Sequence, residues 1–490
     1  AGFMKHIGLM VAVSLASTLT CAGQHAFLVQ NSGWMEPFYQ DQNSQLKPLV
    51  NAVVQTVTQP NDTVAVSMFN QSNTTAQSPV LIYQGAGKQN VSQQLSQEGI
   101  AKKSDKAYAD TDFKEAVVAT ITGPFAKKSG IIWIFTNNKN SPNNDEATAE
   151  RNKEFYELVH LDPAINKVMA YPLKMPVQGK HFNASGLMVY VLAYGEQAEA
   201  ELNHLVKSGQ MEKVFTQQPA LLKPLDKEPV QLIPTGVKNS STIHASLAAD
   251  QKTLVFNLEP KDVIPELKLT ADLKNKFYPY NIAATRVEAK LRLANGMQAP
   301  IQISETDIRL MTKDNTKLEF QVPIPSHLIV SPWSWEVFKA MGKAVTIPAN
   351  IDVTLYEQKL SLSEDFKQNL QSLFPGDPLS DVFVAPKTIQ SSTATIPVQF
   401  RLQYPLWPVV VMIAGILLAL VLGILALALS SKRKKYDVWV NGLKKQTIQL
   451  KPFSKMSVYG DSGKEIAIVK RGISDASVQV LDKEFSVTLR

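Results

Sequence analysis

Three patterns predict a multidomain chain in which an α/β domain is followed by all-β material and a single membrane-crossing helix. Before about residue 210, short continuous apolar runs alternate with helix-spaced apolar faces. From residue 242 to 404 the apolar residues follow a period of two, and Leu406–Leu429 carries no charge. The expected organisation is a signal peptide over 1–23, an α/β domain over 24–215 and a Pro-containing linker over 216–240. A β-sandwich-like extracytoplasmic region follows over 241–404, then a transmembrane helix over 405–430 and a small basic cytoplasmic β domain over 431–490.

The leader reads from Met4: Lys5 and His6 form a short basic start, Ile7–Leu19 is apolar, and Thr20-Cys21-Ala22 supplies the small residues of a cleavage site. Ala26–Gln30 is a short apolar strand. Leu46, Leu49, Val50, Val53, Val54 and Val57 then recur at helical spacing, with Pro48 confined to a first turn. Val64–Phe69 and Val80–Tyr83 are strand-like, Phe113–Ile121 is an amphipathic helix, and Ile131–Thr136 has the continuous apolarity of a strand buried on both faces. A helix over Ala147–His160, strands over Lys167–Tyr171 and Leu187–Ala193 and a helix over Glu196–Lys207 extend the alternation, which predicts a mainly parallel sheet covered by helices.

Pro219, Pro224, Pro229 and Pro234 recur every five residues and predict an extended linker or edge strands. Beyond them, Leu254–Leu258, Leu267–Leu273, Val287–Leu293, Leu318–Ile324, Ile351–Tyr356 and Thr395–Leu402 read as strands of a sandwich. Short helices are expected at Trp333–Met341 and after Ser363. Tyr404 and Trp407 stand at the outer end of the apolar run, where aromatic rings prefer the interface, and Lys432-Arg433-Lys434-Lys435 marks the inner end. In the tail, Asn441-Gly442 after Val438-Trp439-Val440 is a hairpin signal.

Charge narrows the function classes. The net charge of +7 resides after residue 429, where 13 Lys/Arg face 6 Asp/Glu; the remainder is neutral. A basic segment beside a membrane answers to topology and anionic lipid, so no nucleic-acid partner is expected. Cys21 is the only cysteine and lies in the leader, so a processed chain has no disulfide, as suits a bacterial envelope protein. The histidines, among them His160, His181, His204 and His244, form no metal-binding spacing. Gly460-Asp461-Ser462-Gly463 and Gly85-Ala86-Gly87-Lys88 each copy part of a catalytic or phosphate motif without its context, and read as turns.

Three segments carry a family resemblance. Phe27–Met35, Asp110-Thr111-Asp112-Phe113-Lys114-Glu115-Ala116 and Ile132–Asn138 resemble, in order, the three loops of a von Willebrand factor A (vWA) domain. The resemblance implies a Rossmann-like vWA α/β fold with a metal-ion-dependent adhesion site at the C-terminal ends of its strands. The implied ligand positions are Gln30, Ser32, Trp34, Thr111 and Asn137. Amides stand at both carboxylate positions and an indole at one serine, so the site is read as degenerate, with Asp110, Asp112 or Asp145 able to restore it only in a changed geometry. No metal and no other cofactor are expected.

The resulting expectation is a membrane-anchored protein-binding or scaffolding component, not an enzyme, with Trp34 as candidate partner contact. Its protein partner is unidentified, and the resemblance implies work within membrane complexes. The expected location is a bacterial inner membrane, crossed once in type I orientation with a large periplasmic region. The alternatives are an envelope enzyme or its accessory subunit, with a site between the first domain and the sandwich, and a metal-dependent adhesin.

Overall fold

The computed structural model describes residues 23–139, 146–225, 230–250, 252–260, 266–324, 327, 329–376, 382–430 and 432–490. The signal segment before Gly23, Asp145 and Pro229 therefore lie outside the described residues. The chain divides into two compact units. The first draws on Ala1–Phe256, Ile264–Ile324 and Pro348–Phe400, and the second on Asn257–Val263, Pro325–Ile347 and Arg401–Arg490.

The first unit begins with a seven-stranded sheet. Its chain order is β1 (Gln24–Gln30), α1 (Glu36–Gln40), α2 (Leu46–Val57), β2 (Thr63–Phe69), β3 (Val80–Ala86) and α3 (Val91–Ser96). A small hairpin of β4 (Lys102–Ser104) and β5 (Ala107–Tyr108) precedes α4 (Phe113–Thr122), β6 (Gly130–Thr136) and α5 (Glu146–His160). Then come β7 (Ile165–Gln178), β8 (Asn183–Tyr194), α6 (Glu196–Lys207) and β9 (Ala220–Lys223). The strands lie in the order β3-β2-β1-β6-β8-β7-β9.

This sheet corrects the expected architecture. Only β1–β2 and β1–β6 pair in parallel, while β2–β3, β6–β8, β7–β8 and β7–β9 are antiparallel. The reason lies in the connections. A parallel pair needs a crossover, usually a helix, yet only Gly179–Phe182 separates β7 from β8, so these long strands close as a hairpin. The sheet is mixed, and strand outweighs helix among the described residues, so the multidomain α/β reading built on a Rossmann-like vWA domain does not stand.

Burial follows the periodicities. Leu46, Val50, Val53, Val54 and Val57 of α2 are fully buried in one core with Phe27, Val29 and Trp133. The other face of the sheet buries Ala26, Leu28, Ile132, Ile134 and Tyr190. Part of its cover comes from far along the chain: Phe366, Leu370 and Leu373 of α8 (Glu364–Leu373), with Phe374, Val382 and Phe383, pack into that same core.

The second sheet is antiparallel in its described pairings. Its strands are β10 (Val230–Val237), β11 (Ala245–Leu247), β12 (Leu254–Leu258), β13 (Glu266–Asn275), β14 (Tyr280–Leu293), β15 (Gln298–Ile303), β16 (Ile308–Leu310), β17 (Asn315–Pro323), β18 (Val345–Leu362) and β19 (Ser392–Leu402). The expected linker region thus holds β9, which edges the first sheet, and β10, which edges the second. Strand β15 pairs β14 through Gln298–Ile301 and β17 through Gln302 and Ile303, so it passes from one half of the sheet to the other. Leu267, Leu269, Leu273, Leu318, Phe320, Val322, Leu291 and Leu355 are buried at alternate positions, which gives each half an apolar inner face.

The second unit holds α7 (Trp335–Ala340), the apolar helix α9 (Trp407–Ser430) and a β-rich tail. The span Trp407–Leu429 is long and apolar enough to cross a membrane. In the tail, β20 (Lys434–Val440) and β21 (Leu443–Leu450) turn through Asn441 (φ 51°) and Gly442 (φ 82°), the left-handed pair that a tight hairpin needs. With β22 (Lys455–Tyr459), β23 (Glu465–Arg471), β24 (Ala476–Val480) and β25 (Val487–Leu489) they form two three-stranded sheets over a core including Val438, Ile448, Val458 and Val469.

Candidate functional site

The C-terminal ends of β1 and β6 bring three of the five predicted positions into direct contact. Gln30 closes β1 and is fully buried. Its side-chain nitrogen donates to Ser32 Oγ (2.6 Å), Thr111 Oγ1 (2.9 Å) and the Lys139 carbonyl (3.2 Å). The Thr111 hydroxyl donates to Ser32 Oγ at 2.6 Å, and the Thr136 hydroxyl donates to Gln30 Oε1. The turn beyond β6 is held by the Asn138 N–H donating to Thr136 Oγ1 at 2.9 Å, with Asn138 in the left-handed region at φ 68°. Tyr190 donates its hydroxyl proton to Asn138 Oδ1.

Asn137 and Trp34 sit beside this centre. The Asn137 amide donates to the Trp34 carbonyl (2.5 Å), so it fastens backbone instead of facing the Gln30 group. Trp34 is half-buried: Phe182 meets its ring edge-on at 5.6 Å, and Lys139 Nζ stands 4.0 Å above it. Its indole N–H is buried with no acceptor among the described residues.

This arrangement does not fit a divalent cation. The two hydroxyl oxygens a cation would use accept hydrogen bonds from the Gln30 amide, and either orientation of that amide leaves the centre without a negative charge. The neighbouring carboxylates make bonds outside this centre, although Asp110 Oδ1 is buried with no hydrogen-bond partner among the described residues. Asp110 pairs with Lys103 at 3.0 Å, and Asp112 caps α4 by accepting the Glu115 N–H at 3.1 Å. The centre is a neutral, buried polar network that ties β1, the loop before α4 and the end of β6 together.

Two further clusters were not legible in the sequence. At the opposite end of β1, the ligating atoms of His25, Asp62 and Glu201 lie within 4.8 Å of one another. His25 Nε2 is 2.9 Å from Glu201 Oε1 and 3.4 Å from Asp62 Oδ2, while Nδ1 accepts the Trp133 indole N–H at 3.2 Å. An indole can only donate, so Nδ1 carries a lone pair and the ring proton sits on Nε2, aimed at the carboxylates. A metal on Nε2 would need the proton on Nδ1, against the Trp133 donor, so this cluster reads as a hydrogen-bonded brace. Burial favours a raised pKa for the Asp62 carboxyl. The hydrogen bonds from His25 and from the Gln59 and Gly23 N–H groups outweigh it and hold the pKa below the usual carboxylate value.

The second cluster joins Glu36 to His181. Glu36 is buried and accepts from both the His181 ring (Nδ1, 2.7 Å) and the His181 backbone N–H (2.8 Å), while the His181 side chain is largely exposed. Burial opposes ionisation, yet these bonds hold the Glu36 pKa below its ordinary value. The partners lie 145 residues apart in the chain, and no sequence spacing signals them.

The remaining motif readings resolve as local structure. Gly463 turns at φ 81° and donates to the Gly460 carbonyl (2.9 Å). Lys88 Nζ donates to the Gln55 and Thr58 carbonyls at 2.6 and 3.1 Å, closing the end of α2. Buried His160 hydrogen-bonds to the Val382 carbonyl.

No family model and no curated protein matches the chain. Among solved structures it is similar to the ASH/PapD-like domain of human CEP192, at 10% identity over 37% of this chain and 90% of that one, with a TM-score of 0.16. It is also similar to the periplasmic chaperone SfaE, at 7% identity over 51% of this chain and 95% of that one (TM-score 0.17). The E. coli chaperone DraB matches at 12% identity over 49% of this chain and 97% of that one (TM-score 0.17). Likenesses at such TM-scores carry no argument about this chain. The mixed sheet, in which strands β6 to β9 pair antiparallel, corrects the resemblance drawn from the three loop segments, and Gln30, Ser32 and Thr111 converge in it as a hydrogen-bonded network.

Proposed function

We propose that this chain is a membrane-anchored protein-binding component. The helix α9 crosses a bilayer once, Lys432-Arg433-Lys434-Lys435 lies on the cytoplasmic side, and the first unit engages a protein partner outside. The observation that carries this reading is α9 itself. Only 6% of its apolar window is covered by the rest of the chain, so in water Trp407–Leu429 would expose a continuous apolar surface. Lipid removes that cost, and the adjoining basic cluster sets the orientation. The leader supports export, and a bacterial inner membrane is the proposed setting.

For partner contact, Trp34 at the rim of the closed Gln30 network supplies a half-buried aromatic with an unused N–H. A partner carbonyl that reached this nitrogen would satisfy a buried donor whose isolation costs about 1–3 kcal/mol. The test is affinity purification of the tagged full chain from native membranes after crosslinking. A stoichiometric protein retained by the parent chain and lost on Trp34→Ala supports the reading. Recovery of the chain alone in every extract counts against it.

A second reading, an envelope enzyme, rests on the Glu36–His181 pair. A buried carboxylate orienting an exposed imidazole is the arrangement of a general base. Hydrolytic activity of the purified full chain that His181→Ala abolishes would favour it over binding.

A further inference from the structure

The geometry points to a second membrane contact beside α9: residues 331–341 form an aromatic collar that lies in the headgroup–acyl boundary of a phospholipid bilayer. This inference rests on the reading of α9 as membrane-spanning and adds a surface which that reading does not require.

Short polar bonds tie the collar to the start of α9. The Tyr404 hydroxyl donates to the Val330 carbonyl at 2.7 Å, and Gln403 Nε2 donates to the Gly342 carbonyl at 3.0 Å. Trp333 meets Trp407 edge-on with ring centroids 5.2 Å apart. Gly342, at φ 85°, lies so close to Leu406 that a Cβ there would stand 3.0 Å from Leu406 Cδ1. The short helix α7 is capped by Ser334, whose Oγ accepts the Val337 N–H, and turns Val337 inward. Its outer side carries Trp335 stacked on Phe338 at 5.2 Å, with Lys339 Nζ 5.5 Å from the Trp335 ring.

The apolar groups so placed are left to solvent. Trp333 is 48% exposed, Trp335 62%, Met341 59%, Leu406 54% and Trp407 59%. Five large apolar side chains exposed within residues 333–341 and at the start of α9 are costly in water, since each Å² of apolar surface left exposed forgoes about 25 cal/mol. Their chemistry matches a bilayer boundary better than a hydrocarbon core or a dry protein interface. Indole rings prefer the headgroup level, and Lys339 can lay its methylenes on the rings while its ammonium reaches phosphate. The surface is continuous with α9, the one apolar helix of spanning length among the described residues, so lipid that surrounds α9 meets the collar without any further partner.

The test uses the full chain with Cys21 replaced by Ser, reconstituted into phosphatidylcholine–phosphatidylglycerol vesicles. Single cysteines at Trp335, Met341, Leu418 or Asp461 carry an environment-sensitive fluorophore. Lipids spin-labelled either near the headgroup or near the chain end serve as quenchers. The collar requires labels at 335 and 341 to be quenched about twofold more by the shallow lipid than by the deep one, with the opposite preference at 418 and none at 461. Deep quenching at 418 with 335 and 341 behaving like 461 overturns the collar and leaves the spanning helix standing. Absence of quenching at 418 removes the spanning reading and the collar with it. Labels at 335 and 341 that are shielded in native membranes but unquenched in pure lipid would assign the surface to a protein and also overturn the proposal.

Discussion

Gln30 shows how one side chain decides the character of its site. An aspartate at the same place would put a charge beside two hydroxyls. The amide instead shares its hydrogens between Ser32 and Thr111 and leaves a neutral centre with no exposed polar atom to hydrate. Gln30→Leu removes the donor to Ser32 and Thr111 and the acceptor of the Thr136 hydroxyl, and leaves these groups less than fully satisfied in a dry site. Thermal or urea unfolding of a 23–404 fragment should show a loss of about 2–4 kcal/mol, from about 1–3 kcal/mol per orphaned group. A loss within error of zero would mean that the network opens to water in solution. Asp62 makes a second residue-scale prediction. Its pKa is lower folded than unfolded, so its ionised form contributes stability above the ordinary carboxylate value of 3.8, and that contribution fades as pH falls through the lower folded value. The melting-temperature gap between the parent and Asp62→Asn is therefore expected to be widest near neutrality and to close in acid. A gap independent of pH would show that the brace acts by shape alone.

Among the elements, α2 and α8 contrast in what sequence reveals. The spacing of Leu46, Val50, Val53, Val54 and Val57 declares both a helix and its buried face, because every apolar position falls on one side. Helix α8 has an equally clear stripe in Phe366, Leu370 and Leu373, but nothing in it says which surface it will cover. It covers the first sheet, where Phe366 meets Tyr278 and Phe383 edge-on at 5.8 and 5.3 Å. Phe366→Ala is expected to destabilise the fragment by about 3–5 kcal/mol, as buried Phe truncations do. A cost below about 1 kcal/mol, within the range of ordinary surface changes, would show that α8 is loosely held. The hairpin of β7 and β8 teaches a similar lesson. Its strands were recognisable, yet their direction depended on the short connection between them, which the expectation of alternating helices passed over.

Taken whole, the first unit is not assembled in chain order. Its first sheet is completed by residues near 366 and 383, beyond the entire second sheet, so a chain ending at residue 225 would lack part of its own core. Such a fragment is expected to bind the dye ANS and to lose sharp side-chain NMR dispersion, while 23–404 gives a cooperative unfolding transition. A cooperatively folded, dye-free short fragment would refute this dependence. The residues by themselves determined the apolar helix, the strand-rich middle, the hairpin at Asn441-Gly442 and the basic tail. All of these follow from local periodicity, turn chemistry or charge, which a linear pattern can express. Tertiary structure alone decided the mixed pairing of the first sheet, the closing of the Gln30 centre by amide donors, and the meetings of His25 with Glu201 and of Glu36 with His181. Each of these depends on contacts between residues far apart in the chain, and side-chain type and spacing carry no record of which distant surfaces will come together.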